Sequence, residues 1–223
     1  TKYKNLIITV IDNGSEKEYH NFIKNNYPWV KILRHEKNKS FSEANNIALK
    51  KSKAKYCILL NDDTEHDPNW IIELVKIAEK NPNIGALQPK VLSMRNRKMF
   101  EYAGGSGGFI DIYGYPLCRG RVFNTIEKDK GQYNDEIEIF WASGCAIFLN
   151  RERCKEAGYL DETFGSYGEE LDLCWRLNLL NYEIKIVPRS KVYHLGSAIW
   201  GKKIYKMKKE YLLHRNHSII LFK

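Results

Sequence analysis

Two short apolar runs constrain this chain most: Leu6-Ile7-Ile8-Thr9-Val10-Ile11 and Tyr56-Cys57-Ile58-Leu59-Leu60. Neither alternates apolar with polar residues, as a strand with one wet face does. Each therefore reads as a strand buried on both sides, the mark of a parallel sheet covered by helices. Both runs stop at carboxylates, the first at Asp12-Asn13-Gly14-Ser15 and the second at Asn61-Asp62-Asp63-Thr64. In open α/β sheets ligands sit beyond the carboxyl ends of the strands, so these acids are the first candidates for chemistry.

Helical periodicity or helix-end signals fall over residues 16–26, 42–51, 70–79, 151–157 and 168–180, with Ser42 as the expected cap of the second helix. Further strands are predicted over 30–33, 84–91, 140–149, 183–187 and 191–193. Gly104-Gly105-Ser106-Gly107-Gly108 opens a stretch expected to be mostly loop as far as about residue 135; no Gly-Lys-Ser/Thr follows it, so it is no phosphate-binding P-loop. The alternation of strands and helices in the first 90 residues predicts an α/β, doubly wound, mostly parallel sheet. The expected organisation is one domain over 1–200 and a basic helical tail over 201–223.

The 223 residues, 43% of them hydrophobic, suffice for one such domain with a sizeable core. No run approaches the roughly 20 apolar residues of a membrane span. Five cysteines, an odd number without a C-x-x-C pair, suit buried thiols in a reducing compartment. The formal charge is +9, and residues 201–223 carry seven Lys/Arg against one Glu. Such a segment suits anionic lipid or phosphorylated ligands, or is simply a solvated helix face. No nucleic-acid-binding signature accompanies it, and nucleic acid is not an expected partner.

Adjacent carboxylates such as Asp62-Asp63 repel each other unless a cation compensates, and a diphosphate can complete that cation's shell. The alternative is that Asp62, Asp63 and Thr64 cap the helix over 70–79. Glu169, Glu170 and Asp172 open another helix, where the dipole favours carboxylates; a base facing a cleft is the other reading. His194 follows a strand, and imidazole suits a manganese-like metal if the fold brings it near the triplet. Trp141 is either core or a sugar-stacking surface.

In order and spacing these segments resemble the family 2 glycosyltransferases of the GT-A fold, in particular the bacterial rhamnosyltransferase-like branch. The likeness runs through Val10-Ile-Asp-Asn-Gly-Ser15, Asn38-Lys-Ser-Phe41 with Asn45-Asn46, Leu60-Asn-Asp-Asp-Thr64, Trp141-Ala-Ser-Gly144 and Gly158-Tyr-Leu-Asp-Glu162. It continues through Tyr167-Gly-Glu-Glu-Leu-Asp-Leu-Cys-Trp-Arg176, His194 and Arg215-Asn216. Three departures stand out: Glu170 replaces the family's usual aspartate, Ser40 replaces a glycine, and the family's first strand and helix have no counterpart here.

The resemblance implies a Rossmann-like nucleotide-binding half and an acceptor-binding half. It implies an inverting, metal-dependent glycosyltransferase moving a sugar from a UDP-, dTDP- or GDP-linked donor to a hydroxyl of a glycan or lipid-linked acceptor. On that basis Glu170 is the expected catalytic base and Asp172 its companion. Asp12, Asn13, Asn45 and Asp62 are expected at the nucleotide, and Asp63 and His194 on Mg²⁺ or Mn²⁺. Trp141, Gly144 and Glu169 are expected at the acceptor. The implied location is the cytoplasm, with peripheral contact at the anionic inner face of the cell membrane. A catalytically inactive module that binds sugar-nucleotide or glycan is the other expectation.

Overall fold

A computed structural model describes residues 1–196 and 203–223. In chain order, β1 (Thr9–Asn13), α1 (Lys17–Asn26) and β2 (Lys31–His35) form a unit in which β1 and β2 pair in parallel. Then come α2 (Phe41–Lys51), β3 (Tyr56–Leu60), β4 (Thr64–His66), α3 (Trp70–Lys80) and β5 (Ile84–Ser93). The expected loop region instead holds β6 (Gly108–Ile110), β7 (Pro116–Cys118), β8 (Arg121–Val122) and β9 (Thr125–Ile126). These four make a small antiparallel sheet. The chain continues with β10 (Ala146–Asn150), α4 (Arg151–Glu156), α5 (Glu169–Leu179), β11 (Glu183–His194) and α6 (Lys203–Phe222).

The main sheet has the order β3-β10-β5-β11-β4. It is more mixed than the strand–helix alternation suggests. Only β5 and β11 pair in parallel; β10 is antiparallel to β3 and β5, and β4 is antiparallel to β11. It follows that β3, β5 and β11 point one way, with β10 and β4 running against them. The ends of the first three and the beginnings of the last two therefore lie along one edge. Thr64 pairs with His194, His194 with Ser93, and Ala146 with Leu60.

The central strand β5 is buried along nearly its whole length, as its neighbours on both sides require. It contains Pro89, which has no N–H to give a ladder. Pro89 pairs with Val187, where β11 bulges before resuming at Lys191 opposite Lys90. That bulge turns the two expected short strands into one irregular strand. One core layer joins Leu74 and Val91 to Phe148 and Val192; the other joins Leu149, Phe164, Leu173 and Ile186.

Two local expectations need correction. The run at 6–11 is not a buried strand throughout: Leu6, Ile7 and Ile8 are exposed, and only β1 at its end is paired, to β2 alone. The cap of α2 is Ser40 rather than Ser42. Its hydroxyl accepts from the Glu43 N–H at 3.2 Å while Glu43 returns to the Ser40 N–H at 3.1 Å, a complete capping box. Ser40 has φ −63°, so nothing there demands a glycine.

The expected tail is a helix that packs on the domain; its boundary near residue 200 lies outside the described residues. Ile220 is 7% exposed in the core, and Asn216 is 1% exposed. The Asn216 amide donates to the carbonyls of Ser166 (2.8 Å) and Tyr167 (2.5 Å). Arg215 donates to Thr163 and Phe164 carbonyls at 3.1 and 2.6 Å. Asn216→Ala removes the bonds of a buried amide to the part-buried carbonyls of Ser166 and Tyr167 and is expected to destabilise the fold by about 1–3 kcal/mol, measured by urea unfolding.

Candidate active site

The shared strand edge gathers most of the residues singled out above. Past the end of β3 the chain turns through Asn61, Asp62 and Asp63 into β4, with the Thr64 hydroxyl on the Asn61 carbonyl at 2.8 Å. This strand-to-strand turn is not a helix cap: α3 is capped at Asn69, with no side-chain bond. Asp62 faces solvent, whereas Asp63 is half-buried. Asp63 Oδ1 lies 3.1 Å from His194 Nε2, and the Asp63 carbonyl accepts the Leu195 N–H at 3.0 Å. The Asn61 amide also approaches His194 Nε2, at 3.4 Å.

Glu101 stands on the other side of the His194 ring, its Oε1 3.6 Å from Nδ1. Burial works against protonation of this imidazole, but the carboxylates of Glu101 and Asp63 outweigh it and raise its pKa. No group of three or more His, Cys, Asp or Glu side chains among the described residues is arranged to hold a metal ion by itself.

Gly144 and Cys145 lead into β10 beside this turn, the Cys145 carbonyl accepting from Asn61 N–H at 2.9 Å. Glu170, in the first turn of α5, lies against Gly144: a Cβ there would meet its carboxyl at 3.5 Å. Cys145 marks the convergence. Burial pushes its thiol up to about 12, and the negative charges of Glu101, Glu170 and Asp63 all add to that shift.

Glu169 and Glu170 are adjacent and largely out of water, and Oε2 of each is buried without a hydrogen-bond partner. Burial raises both pKa values. The charge of Glu170 adds to the shift at Glu169, while N–H groups of Glu170, Gly144, Gly168 and Leu171 temper it at Glu170. The backbone entering α5 is unusual: Tyr167 has φ +71° and Gly168 φ +90°. A bulky residue in the left-handed region is strained and persists only where its surroundings hold it. Here the Asn216 amide holds the Tyr167 carbonyl.

The other expected site residues have structural partners. Asp172 is 4% exposed and paired with Arg176 Nη2 (2.6 Å) and Lys223 Nζ (2.8 Å). Trp141 is turned into the core: its ring lies over Gly108 and its indole N–H donates to the Phe109 carbonyl at 2.8 Å. Asn13 is held by the backbone of Lys39, with two bonds of 2.9 Å. Asn45 bonds the Phe41 carbonyl within its own helix at 2.9 Å. Asp12, next to last in β1, is 5% exposed, with His20 at 3.1 Å, the Ser15 N–H at 3.0 Å and Arg34 on its carboxylate. Burial alone would raise the Asp12 pKa; Ser15, Arg34 and His20 bring it below the ordinary value.

Sequence reasoning did not single out Glu101, and it named Asn46 and Asn216 only within the family likeness, without their structural roles. Asn46 is 2% exposed and fixes the approach to α5, exchanging bonds with the Leu160 backbone at 2.8 and 3.1 Å. Its signal was an amide among the inward positions of α2. Glu101 carried none, being a single acid between two aromatics.

The model of "Glycosyl transferase family 2" matches residues 1–156. The O-antigen biosynthesis protein RfbC of Myxococcus xanthus is 27% identical over 165 residues, 71% of this chain and 12% of that protein. The N-acetylglucosaminyl-diphospho-decaprenol L-rhamnosyltransferase of Mycobacterium tuberculosis is 25% identical over 154 residues, 66% of this chain and 49% of that one. The chain thus spans half or less of the length of these relatives. Among solved structures, GalNAc-T7 with UDP, GalNAc and Mn²⁺ superposes with a TM-score of 0.66 at 21% identity, over 84% of this chain and 37% of that one. The fold is that of the GT-A glycosyltransferases, and with its acids on one sheet edge and a family match over most of its length, the chain belongs to glycosyl transferase family 2.

Proposed function

We propose that this domain transfers a sugar from a nucleoside-diphosphate donor to a hydroxyl of a glycan or lipid-linked acceptor, inverting the anomeric carbon, with Glu170 as the base. The observation that carries this reading is that Glu170, whose Oε2 is buried and unpartnered, lies against Gly144 beside the sheet edge that holds Asp63 and His194. In the proposed step the acceptor oxygen bonds to the anomeric carbon as the bond to the diphosphate breaks, and Glu170 takes the hydroxyl proton. A carboxylate whose pKa is raised by burial is a better proton acceptor than an exposed one.

Asp63 and His194 would hold Mg²⁺ or Mn²⁺. Their 3.1 Å separation suits two neighbouring ligands of one octahedral ion, which at about 2.1 Å from the metal lie about 3 Å apart. Two protein donors leave room for diphosphate oxygens and water, the usual arrangement for such ions at phosphates. The ion would supply charge to offset the leaving diphosphate. Asp62, exposed beside this pair, and Asp12, near the end of β1, are assigned to the nucleotide side; Gly144 and Glu169, beside the base, are assigned to the acceptor side.

The site predicts its own pH signature. Burial raises the folded-state pKa of Glu169 above its unfolded value, so the folded state binds the proton more tightly. Stability is then highest below the unfolded value and falls as pH rises toward the folded one. Glu169→Gln is expected to flatten that fall, measured as Tm from pH 4 to 8.

Glu170→Gln should lower turnover by about 10²–10⁴-fold with nucleotide binding unchanged. Asp63→Ala should weaken Mn²⁺-dependent binding of UDP, dTDP or GDP by about tenfold or more in calorimetry. Unchanged turnover or unchanged binding, respectively, removes that assignment.

We also propose peripheral contact with anionic membrane. No helix among the described residues is long and apolar enough to cross a membrane. Yet α6 exposes Met207, Tyr211, Leu221 and Phe222, and Lys208 is exposed next to Met207. Co-sedimentation with vesicles should rise with phosphatidylserine content and fall with salt; binding indifferent to both refutes the contact.

A further inference from the structure

We propose that Glu101 is a positioning residue, which holds the His194 ring so that Nε2, on the Asp63 side, presents its lone pair to the bound cation. The assignment rests on the metal reading above and adds a residue to it. His194 is 8% exposed and Glu101 9%. A neutral imidazole carries one N–H, so the surroundings of its two nitrogens decide which one is free to coordinate. Nδ1 is buried without a hydrogen bond, and the acceptor facing it is Glu101 Oε1 at 3.6 Å. Nε2 faces Asp63 Oδ1 at 3.1 Å, so a cation held there takes the Nε2 lone pair and leaves the proton on Nδ1, where the Glu101 carboxylate stabilises it. Glu101 faces the opposite ring nitrogen from Asp63, which makes it the support of the ligand rather than a ligand of the same ion.

The carboxylate is built into place. Glu101 Oε2 accepts the Ala103 N–H at 2.5 Å, and the Glu101 N–H pairs with the Val91 carbonyl at 3.1 Å, on the central strand. His194 is fixed as firmly, its carbonyl accepting the Met94 N–H at 2.9 Å. Gly196 then makes the room: a Cβ there would lie 2.7 Å from Glu101 Oε1 and 3.7 Å from His194 Nδ1. With φ +57° as well, position 196 suits glycine on both counts. Three elements thus converge on one carboxylate–imidazole contact.

The test measures Mn²⁺ affinity by calorimetry with UDP, dTDP or GDP, and the His194 tautomer by ring ¹⁵N shifts at a fixed, subsaturating Mg²⁺ concentration with the same nucleotide. Glu101→Ala is expected to weaken Mn²⁺ binding about 10–100-fold and to lose the excess of the Nδ1-protonated tautomer. Glu101→Gln, which keeps the shape and one acceptor oxygen, should fall between it and the parent. Gly196→Ala, which displaces the carboxylate without removing it, should reproduce the Glu101→Ala tautomer shift should that variant fold poorly. Parental Mn²⁺ affinity and tautomer in Glu101→Ala, with affinity lost in His194→Ala, overturns the role of Glu101 and leaves the metal site standing. Parental affinity in both His194→Ala and Asp63→Ala overturns the metal reading and this assignment with it.

Discussion

Two neighbouring carboxylates, Glu169 and Glu170, are kept out of water at the start of α5, and much of the surrounding structure answers that constraint. Burying like charges side by side is unfavourable unless dipoles or protons compensate. Here the first turn of α5 and the Gly144 backbone turn N–H groups toward Glu170. What remains uncompensated appears as raised proton affinity, the property on which the proposed role of Glu170 rests.

The sheet decides where Glu170, the proposed base, meets the rest of the site. Because β3, β5 and β11 end where β10 and β4 begin, five separate stretches of chain deliver side chains or backbone to one edge. Asp63, Glu101, Gly144, Glu170 and His194 are spread through the sequence, yet the charges of Asp63, Glu101 and Glu170 meet around the Cys145 thiol, and His194 lies between Asp63 and Glu101. The bulge opposite Pro89 lets β11 pass the central strand and still deliver His194 in register with Ser93 and Thr64.

Much of this was legible in the sequence where local physics governs. The helices at α1, α3, α4 and α5 and the strand β3 fall within a residue or two of their expected bounds, since periodicity and caps set them. The run at Leu6 to Ile11 misled because composition reports a wish to be buried, not a neighbour to be buried against. The small sheet after Gly104 was missed because strands of two or three residues carry no period. Trp141 and Asp172 have partners that the sequence did not reveal, the Phe109 carbonyl for the one and Arg176 with Lys223 for the other. Glu101 was invisible because its meaning comes entirely from His194, 93 residues away in sequence.

The hold of Asn216 on the backbone before α5 has a consequence in time as well as in space. The strained Tyr167 lies 49 residues ahead of the amide that secures its carbonyl. During synthesis at roughly 5–20 residues per second, the strands that form the floor of the site are made first. The entry to α5 waits several seconds for its fastening. A nascent chain can therefore carry Asp63 and His194 in place while Glu170 still lacks a fixed approach, so that the proton-accepting side of the site is the last part to be assembled.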